Sequence, residues 1–159
     1  MYTVTAFTDG ASRGNPGPGG YGVVLSTIGK DKQRYTKYFS QGYRLTTNNR
    51  MEIMGVCAAL EALKAPAKIN IYTDSQYVCN AYNSWLSGWK KRGWKTAAGK
   101  KVMNKDLWIR LENAAKPHEV KIKWVKGHAG KAQNEQADKL ATDAADNKAL
   151  WQVDKGFHR

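Results

Sequence analysis

Acidic residues are scarce in this chain: 13 Asp and Glu stand against 26 Lys and Arg among 159 residues, for a formal net charge of +13. Such a balance argues against a partner that is itself cationic and favours a polyanion, because clustered cations displace the counterions condensed on a phosphate backbone. Cysteine is scarcer still. Cys57 and Cys79 are isolated, with no CxxC or Cys–His spacing, which excludes a zinc ribbon or disulfide scaffold and fits a reducing compartment. No stretch approaches the roughly 20 apolar residues of a membrane span, and the opening MYTVTAFTDG reads as a strand, not a cleavable leader. A cytoplasmic location without membrane attachment is expected. Internal repeats and low-complexity segments are also missing, and 42% apolar residues suffice for one core without staples.

Against this scarcity, the positions of four acids stand out: Asp9 in FTDG, Glu52 in TTNNRMEIM, Asp74 in YTDSQYV and Asp138 in NEQADKLA. Each has an ordinary structural reading. Asp9-Gly10 is turn chemistry, Glu52 is placed to close a capping box from Asn49, Asp74 to cap the next helix and Asp138 to pair with a neighbouring Lys. The surrounding periodicities decide whether the four can meet.

Tyr2–Phe7, Tyr21–Ser26 and Tyr35–Tyr43 are β-rich runs that predict an antiparallel three-strand meander. Ile53, Cys57 and Leu60 predict a helix over Met51–Lys64, capped by Asn48 or Asn49. Lys68–Thr73 follows as a strand, a helix starts near Ser75, and Val120, Ile122 and Trp124 alternate as a further strand. A last helix with a small-residue face of alanines runs near Asn134–Asn147. The order predicts an α/β (α+β) fold with a mixed sheet and helices on its faces. One catalytic domain over 1–150 is expected, with 151–159 as a loosely ordered tail. Gly17–Gly22, GPGGYG, fits the GxGxxG pattern of dinucleotide sites, but it opens a strand where that pattern opens a helix, so it reads as a hairpin connection.

Asp9 and Asp74 both fall at strand ends, where open α/β sheets place their sites, and Glu52 and Asp138 lie on helices able to flank that edge. Gathered without cations, four carboxylates would repel and raise one another's pKa. All-oxygen ligation points to Mg²⁺, with Mn²⁺ as a substitute, and two such ions about 3.5–4 Å apart suit phosphodiester cleavage. The acids therefore predict a nuclease. Between Asp74 and Asp106 there is no acid at all, while Lys90, Lys91, Arg92, Lys95, Lys100, Lys101 and Lys105 collect around Trp85, Trp89 and Trp94. Rings interleaved with cations favour nucleic-acid binding by this arm, about 85–105, over a merely solvated face.

From TDGASRGNPGPGGYG through TTNNRMEIM, YTDSQYV, GWKKRGWKT and WVKGHAGKAQNEQADKLA, the chain resembles the compact, bacterial-type ribonuclease HI family. That resemblance implies a five-stranded mixed sheet flanked by helices and an endonuclease; a monomer with no obligate protein partner is the default expectation. Its activity would be cleavage of the RNA strand of RNA–DNA hybrids, leaving 5′-phosphate and 3′-hydroxyl ends. It implies that Asp9 bridges two metal ions, with Asp138 on the water side, Glu52 and Asp74 on the leaving side, and Glu52 also sensing the 2′-hydroxyl. His128 would move protons or assist product departure. Asn15, Asn48 and Asn49 would contact the minor groove, Thr47 and Asn104 would grip a DNA-strand phosphate, and Tyr77 with Trp85 would pack on deoxyribose. Lys90, Lys91, Arg92 and Lys95 would follow the backbone. The second hairpin, GKDKQRYTKYFSQGY, looks longer and more basic than in the family's best-known members, and Ser12 stands where some relatives have cysteine. The rival readings are another metal-dependent nuclease on this sheet and a non-catalytic hybrid-binding module.

Overall fold

The computed structural model describes residues 2–126 and 132–158. Strands β1 (Tyr2–Ser12), β2 (Gly17–Ile28) and β3 (Arg34–Thr46) form the expected meander. Helix α1 (Asn48–Glu61) then leads to β4 (Ala67–Thr73), which lies parallel to β1. Helix α2 (Gln76–Asn80), a π-helical turn (Ala81–Trp85) and α3 (Leu86–Lys91) carry the chain into the arm. Helix α4 (Lys105–Ala115), β5 (Glu119–Trp124), α5 (Ala132–Asp146) and β6 (Trp151–Gln152) complete the order. The sheet runs β5-β4-β1-β2-β3-β6.

Two expectations need correction. The sheet has six strands, not five, because Trp151 and Gln152 pair parallel with Gly42 and Tyr43 at the far edge of β3. For the same reason the segment after 150 is no loose tail, and Asp154 beyond it is buried against Arg50. Its sequence lacked a period because two residues are too few to show one.

Alternation along β1 divides the core between the two faces. Val4 and Ala6 pack with Ile53, Val56, Cys57 and Leu60 on the α1 side, while Phe7 joins Val24 and Ala137 on the α5 side. Helix α4 lies on α1 and contributes Trp108 and Leu111, both fully buried. Burial of such side chains stabilises the fold by roughly 1.5–3 kcal/mol each. Both cysteines are free and buried, and burial pushes the Cys57 thiol up to about 12, which leaves it a packing residue. Among the described residues no helix is long and apolar enough to cross a membrane.

The glycine motif has a packing role. A Cβ on Gly22 would run into the Ala137 carbonyl, and one on Gly20 would meet Ala141 and Ala144. Glycine in β2 and alanine on α5 therefore let helix and sheet approach backbone to backbone, as the alanine face suggested. That approach matters because Gly22 is the cross-strand partner of Asp9.

Candidate active site

In β1, Thr8 pairs with Thr73 of β4, so Asp9 and Asp74 leave the sheet side by side at its parallel, carboxyl-terminal edge. Asp9 is itself still in the strand, opposite Gly22. Glu52 reaches the same point from the first turns of α1. There Gly10 lets β1 touch the helix backbone: a Cβ at that position would collide with the Glu52 amide and the Met51 carbonyl carbon. Asp9, Glu52 and Asp74 each place a carboxylate oxygen within 4.8 Å of the other two. Oxygens sharing one Mg²⁺ ion lie about 3–4 Å apart, given bonds of about 2.0–2.1 Å, so small side-chain adjustments would close the group on a cation.

The capping roles that competed for these acids are taken by other residues. Thr47 caps α1, its hydroxyl accepting from the Arg50 amide at 3.2 Å, so Asn48 and Asn49 are not the cap and Glu52 closes no box with Asn49. Ser75, not Asp74, caps α2 by accepting from the Val78 amide at 3.1 Å. Glu52 is 4% exposed, and its buried Oε1 has no hydrogen-bond partner. An unpartnered buried carboxylate oxygen is costly, and a cation is the partner that this donor set would satisfy.

Electrostatics point the same way. Burial first, then the charge of Asp74 and contact with Asp138, raise Asp9 to about 8, opposed only by the Gly10 amide, which donates to Oδ1 at 2.9 Å. Burial, followed by the charges of Asp9 and Asp74, holds Glu52 well above the usual carboxylate range. Asp138, half-buried on α5, thus reaches Asp9 from the opposite side to Glu52, though it stands outside the tight group of three. Acids this perturbed and this close make this edge of the sheet the candidate functional site. His128 lies outside the described residues.

The remaining residues singled out from the sequence line the approaches. Asn15, Asn48 and Asn49 are exposed together, and Asn15 Oδ1 accepts from the Asn48 amide at 3.0 Å. Thr47 and Asn104 face a shared cavity of about 340 Å³. Tyr77 is fixed by its hydroxyl, which accepts from Trp108 Nε1 at 3.2 Å and Asn104 Nδ2 at 3.3 Å, and its ring lies 6.4 Å from that of Trp85. The arm departs from expectation in its aromatics. Only Trp85 is open, at 42%; Trp89 is a core residue and Trp94 is half-buried, since α3 needs an apolar face to dock on Trp108. Lys90, Lys91, Arg92 and Lys95 are exposed, but Lys90 also pairs with Glu112 at 2.6 Å.

Sequence reasoning missed two supports. Trp124 Nε1 donates to the Asp74 carbonyl at 3.1 Å, tying the Asp74 loop to β5. Arg50, buried in α1 two residues before Glu52, holds Asn104, Asp106 and Asp154 at once. Indole and guanidinium partners this distant in sequence leave no periodic signal.

The model of the RNase H family matches residues 1–146. The chain belongs to the ribonuclease H family. It is 56% identical over 144 residues to the ribonuclease H of Serratia proteamaculans (strain 568), covering 91% of this chain and 90% of that one. Identity to the ribonuclease H of Citrobacter koseri is 53% over 154 residues, 97% and 95% of the two chains. Among solved structures, LC9-RNase H1, a type 1 RNase H with the type 2 active-site motif, superposes with a TM-score of 0.83 at 32% identity, covering 91% of this chain and 72% of that one. RNase H1 of Halobacterium salinarum NRC-1 gives 0.64 at 32%, covering 91% and 98%. The protein is accordingly a bacterial-type ribonuclease H, from a family of metal-dependent endonucleases that cut the RNA strand of RNA–DNA hybrids. Its acidic cluster suits such a metal.

Proposed function

We propose that this ribonuclease H cleaves by a two-metal-ion mechanism at Asp9, Glu52, Asp74 and Asp138, leaving 5′-phosphate and 3′-hydroxyl ends. The observation that carries the reading is the close trio of carboxylates, buried Asp9 and Glu52 with half-buried Asp74, in which one buried Glu52 oxygen has no hydrogen-bond partner. Asp9 would be shared between two Mg²⁺ ions, Asp138 would complete one, and Glu52 with Asp74 the other. When bound, the ions would activate the attacking water and stabilise charge on the leaving 3′-oxygen.

The protein's own groups do the rest. Gly10 and Gly22 keep the two helices close enough for Glu52 and Asp138 to face Asp9. Water oxygen bonds to phosphorus and gives up a proton as the bond from phosphorus to the 3′-oxygen breaks, and the 3′-oxygen takes up a proton to leave as a hydroxyl. His128 is assigned to proton movement or product departure. Asn15, Asn48 and Asn49 would read 2′-hydroxyls and base edges of the RNA strand, with Glu52 sensing the 2′-hydroxyl beside the scissile bond. Tyr77 and Trp85 would pack on deoxyribose, Thr47 and Asn104 would hold a DNA-strand phosphate, and the Lys90–Arg92 cations with Lys95 would follow the backbone. Selectivity then requires 2′-hydroxyls on one strand and their absence on the other. The enzyme would act as a monomer.

The test is one gel with labelled RNA–DNA hybrid, double-stranded RNA and double-stranded DNA, each with Mg²⁺ and with chelator. The reading expects RNA-strand cleavage in the hybrid alone and only with Mg²⁺. Comparable cleavage of either pure duplex would indicate a different nuclease on the same sheet, and activity in chelator would remove the metal from the mechanism.

A further inference from the structure

The cavity that Thr47 and Asn104 face is closed on its far side by the carboxyl-terminal segment. Its polar lining comes from Asn15, Thr47, Asn49, Arg50, Asn104 and, from that segment, His158. The path of the segment is fixed by three contacts. Asp154 accepts from Arg50 Nε at 2.8 Å and from Nη2 at 3.0 Å, and its side chain is 1% exposed. The Phe157 amide donates to the Asp154 carbonyl at 3.1 Å, closing a turn. Between them Gly156 lies so tightly on the Arg50–Asp106 pair that a Cβ would strike both side chains. A turn held this way sets His158 at the rim of the cavity instead of leaving it to wander.

The cavity is arranged for an anion. Asp106 also lines it, but both of its oxygens already accept from Arg50, at 2.9 and 2.7 Å. The amino end of α4 opens here with Asn104 as its N-cap, which makes no side-chain capping bond. The amino end of α1 arrives from the other side with Asn49. Two helix amino ends, amide and hydroxyl side chains and an imidazole, all on one concavity, supply donors that suit a phosphate oxygen. An imidazole donates through a ring N–H in either protonation state.

We infer that His158, carried on the Asp154-anchored turn, contacts the DNA-strand phosphate received by Thr47 and Asn104, so that the carboxyl-terminal segment is part of the substrate grip. The inference rests on the reading of that cavity as a phosphate pocket. It differs from a purely structural role for the segment because the His158 side chain is exposed.

The test measures binding to a short hybrid in chelator, with single neutral methylphosphonates placed in turn along the DNA strand. Wild type should lose affinity at the position whose phosphate sits in the cavity, besides any that the arm cations meet, and His158→Ala should bind the unmodified hybrid roughly five- to ten-fold more weakly, the size expected of one hydrogen bond to a charged group partly open to water. On the hybrid neutralised at that position, His158→Ala should bind as wild type does. His158→Gln, which restores a neutral donor, should recover most of the loss, with melting temperatures unchanged throughout. An equal loss for His158→Ala on both hybrids, or no loss on either, overturns the contact. Indifference of wild type to every methylphosphonate overturns the phosphate pocket itself, and the contact with it.

Discussion

Asp154→Ala should destabilise this enzyme far more than the sequence around it suggests. The substitution removes two hydrogen bonds from Arg50, whose side chain is 3% exposed, and a third from the Thr46 hydroxyl, which donates to Asp154 Oδ2 at 2.7 Å. Breaking a buried ion pair by deleting one partner costs about 3–5 kcal/mol. Asp106 keeps hold of Arg50 and lowers that figure, whereas the stranded Thr46 hydroxyl raises it by about 1 kcal/mol or more. A net loss of about 3–4 kcal/mol follows, and at about 2–4 °C per kcal/mol for a chain of this size the melting temperature should fall by roughly 6–16 °C. The comparison is Asp146→Ala, which breaks a pair with Arg13 of similar length, 2.7 Å, but with both side chains more than half exposed. That variant should melt almost where wild type does. Both are read by circular dichroism in one buffer. A fall below about 2 °C for Asp154→Ala, or equal falls for the two variants, would refute the argument that burial sets the value of the pair.

Three further outcomes are expected. Burial and its neighbours raise Asp9 to about 8, so the folded, metal-free protein keeps a proton that the unfolded chain releases near pH 4. This contribution is fully present below about pH 4 and is lost as pH rises through about 8; in chelator, melting temperature should decline from pH 5.5 to 8.5 more steeply than in Asp9→Asn, and Mg²⁺ should flatten the decline, whereas identical slopes would contradict the shift. Trp124→Phe removes the indole bond to the Asp74 carbonyl, and should raise the Mg²⁺ concentration needed for half-maximal rate by about ten-fold with melting temperature unchanged; an unaltered Mg²⁺ titration would mean that Asp74 needs no such support. Replacing Lys90, Lys91 and Arg92 with Ala should reduce the slope of log affinity against log salt by about 1–2, less than three full contacts because Lys90 is shared with Glu112 and Arg92 Nε donates to the Lys95 carbonyl. An unchanged slope would place the phosphate grip elsewhere.

The sequence was most legible where chemistry is local. Strand alternation in β1 and β4 and the 3.6-residue period of α1 were enough to bring Asp9, Asp74 and Glu52 to one edge, because register and helix face follow directly from those periods. The meander was legible for the same reason. Helix α4 is hard to read from sequence because it begins directly after the basic arm and buries only Leu107, Trp108 and Leu111, and β6 because it is only two residues long. The cap of α1 went to Thr47 and not to an asparagine, a one-residue difference that sequence patterns do not resolve. Trp89 looked like a nucleic-acid contact until its packing on Trp108 was visible. What sequence could not supply at all were the long-range partners, Arg50 with Asp154 and Trp124 with Asp74, whose separations of 104 and 50 residues obey no local rule.

In the proposed mechanism Asp9 is shared by the metal ions and takes no part in the substrate grip. Asp9→Asn keeps the shape and removes the charge, so RNA-strand cleavage and hybrid binding should be measured on the same preparation with Mg²⁺ present. Cleavage should fall by about a thousand-fold or more, the scale of removing an essential electrostatic group, with hybrid affinity unchanged or tighter. Cleavage within ten-fold of wild type would contradict that mechanism.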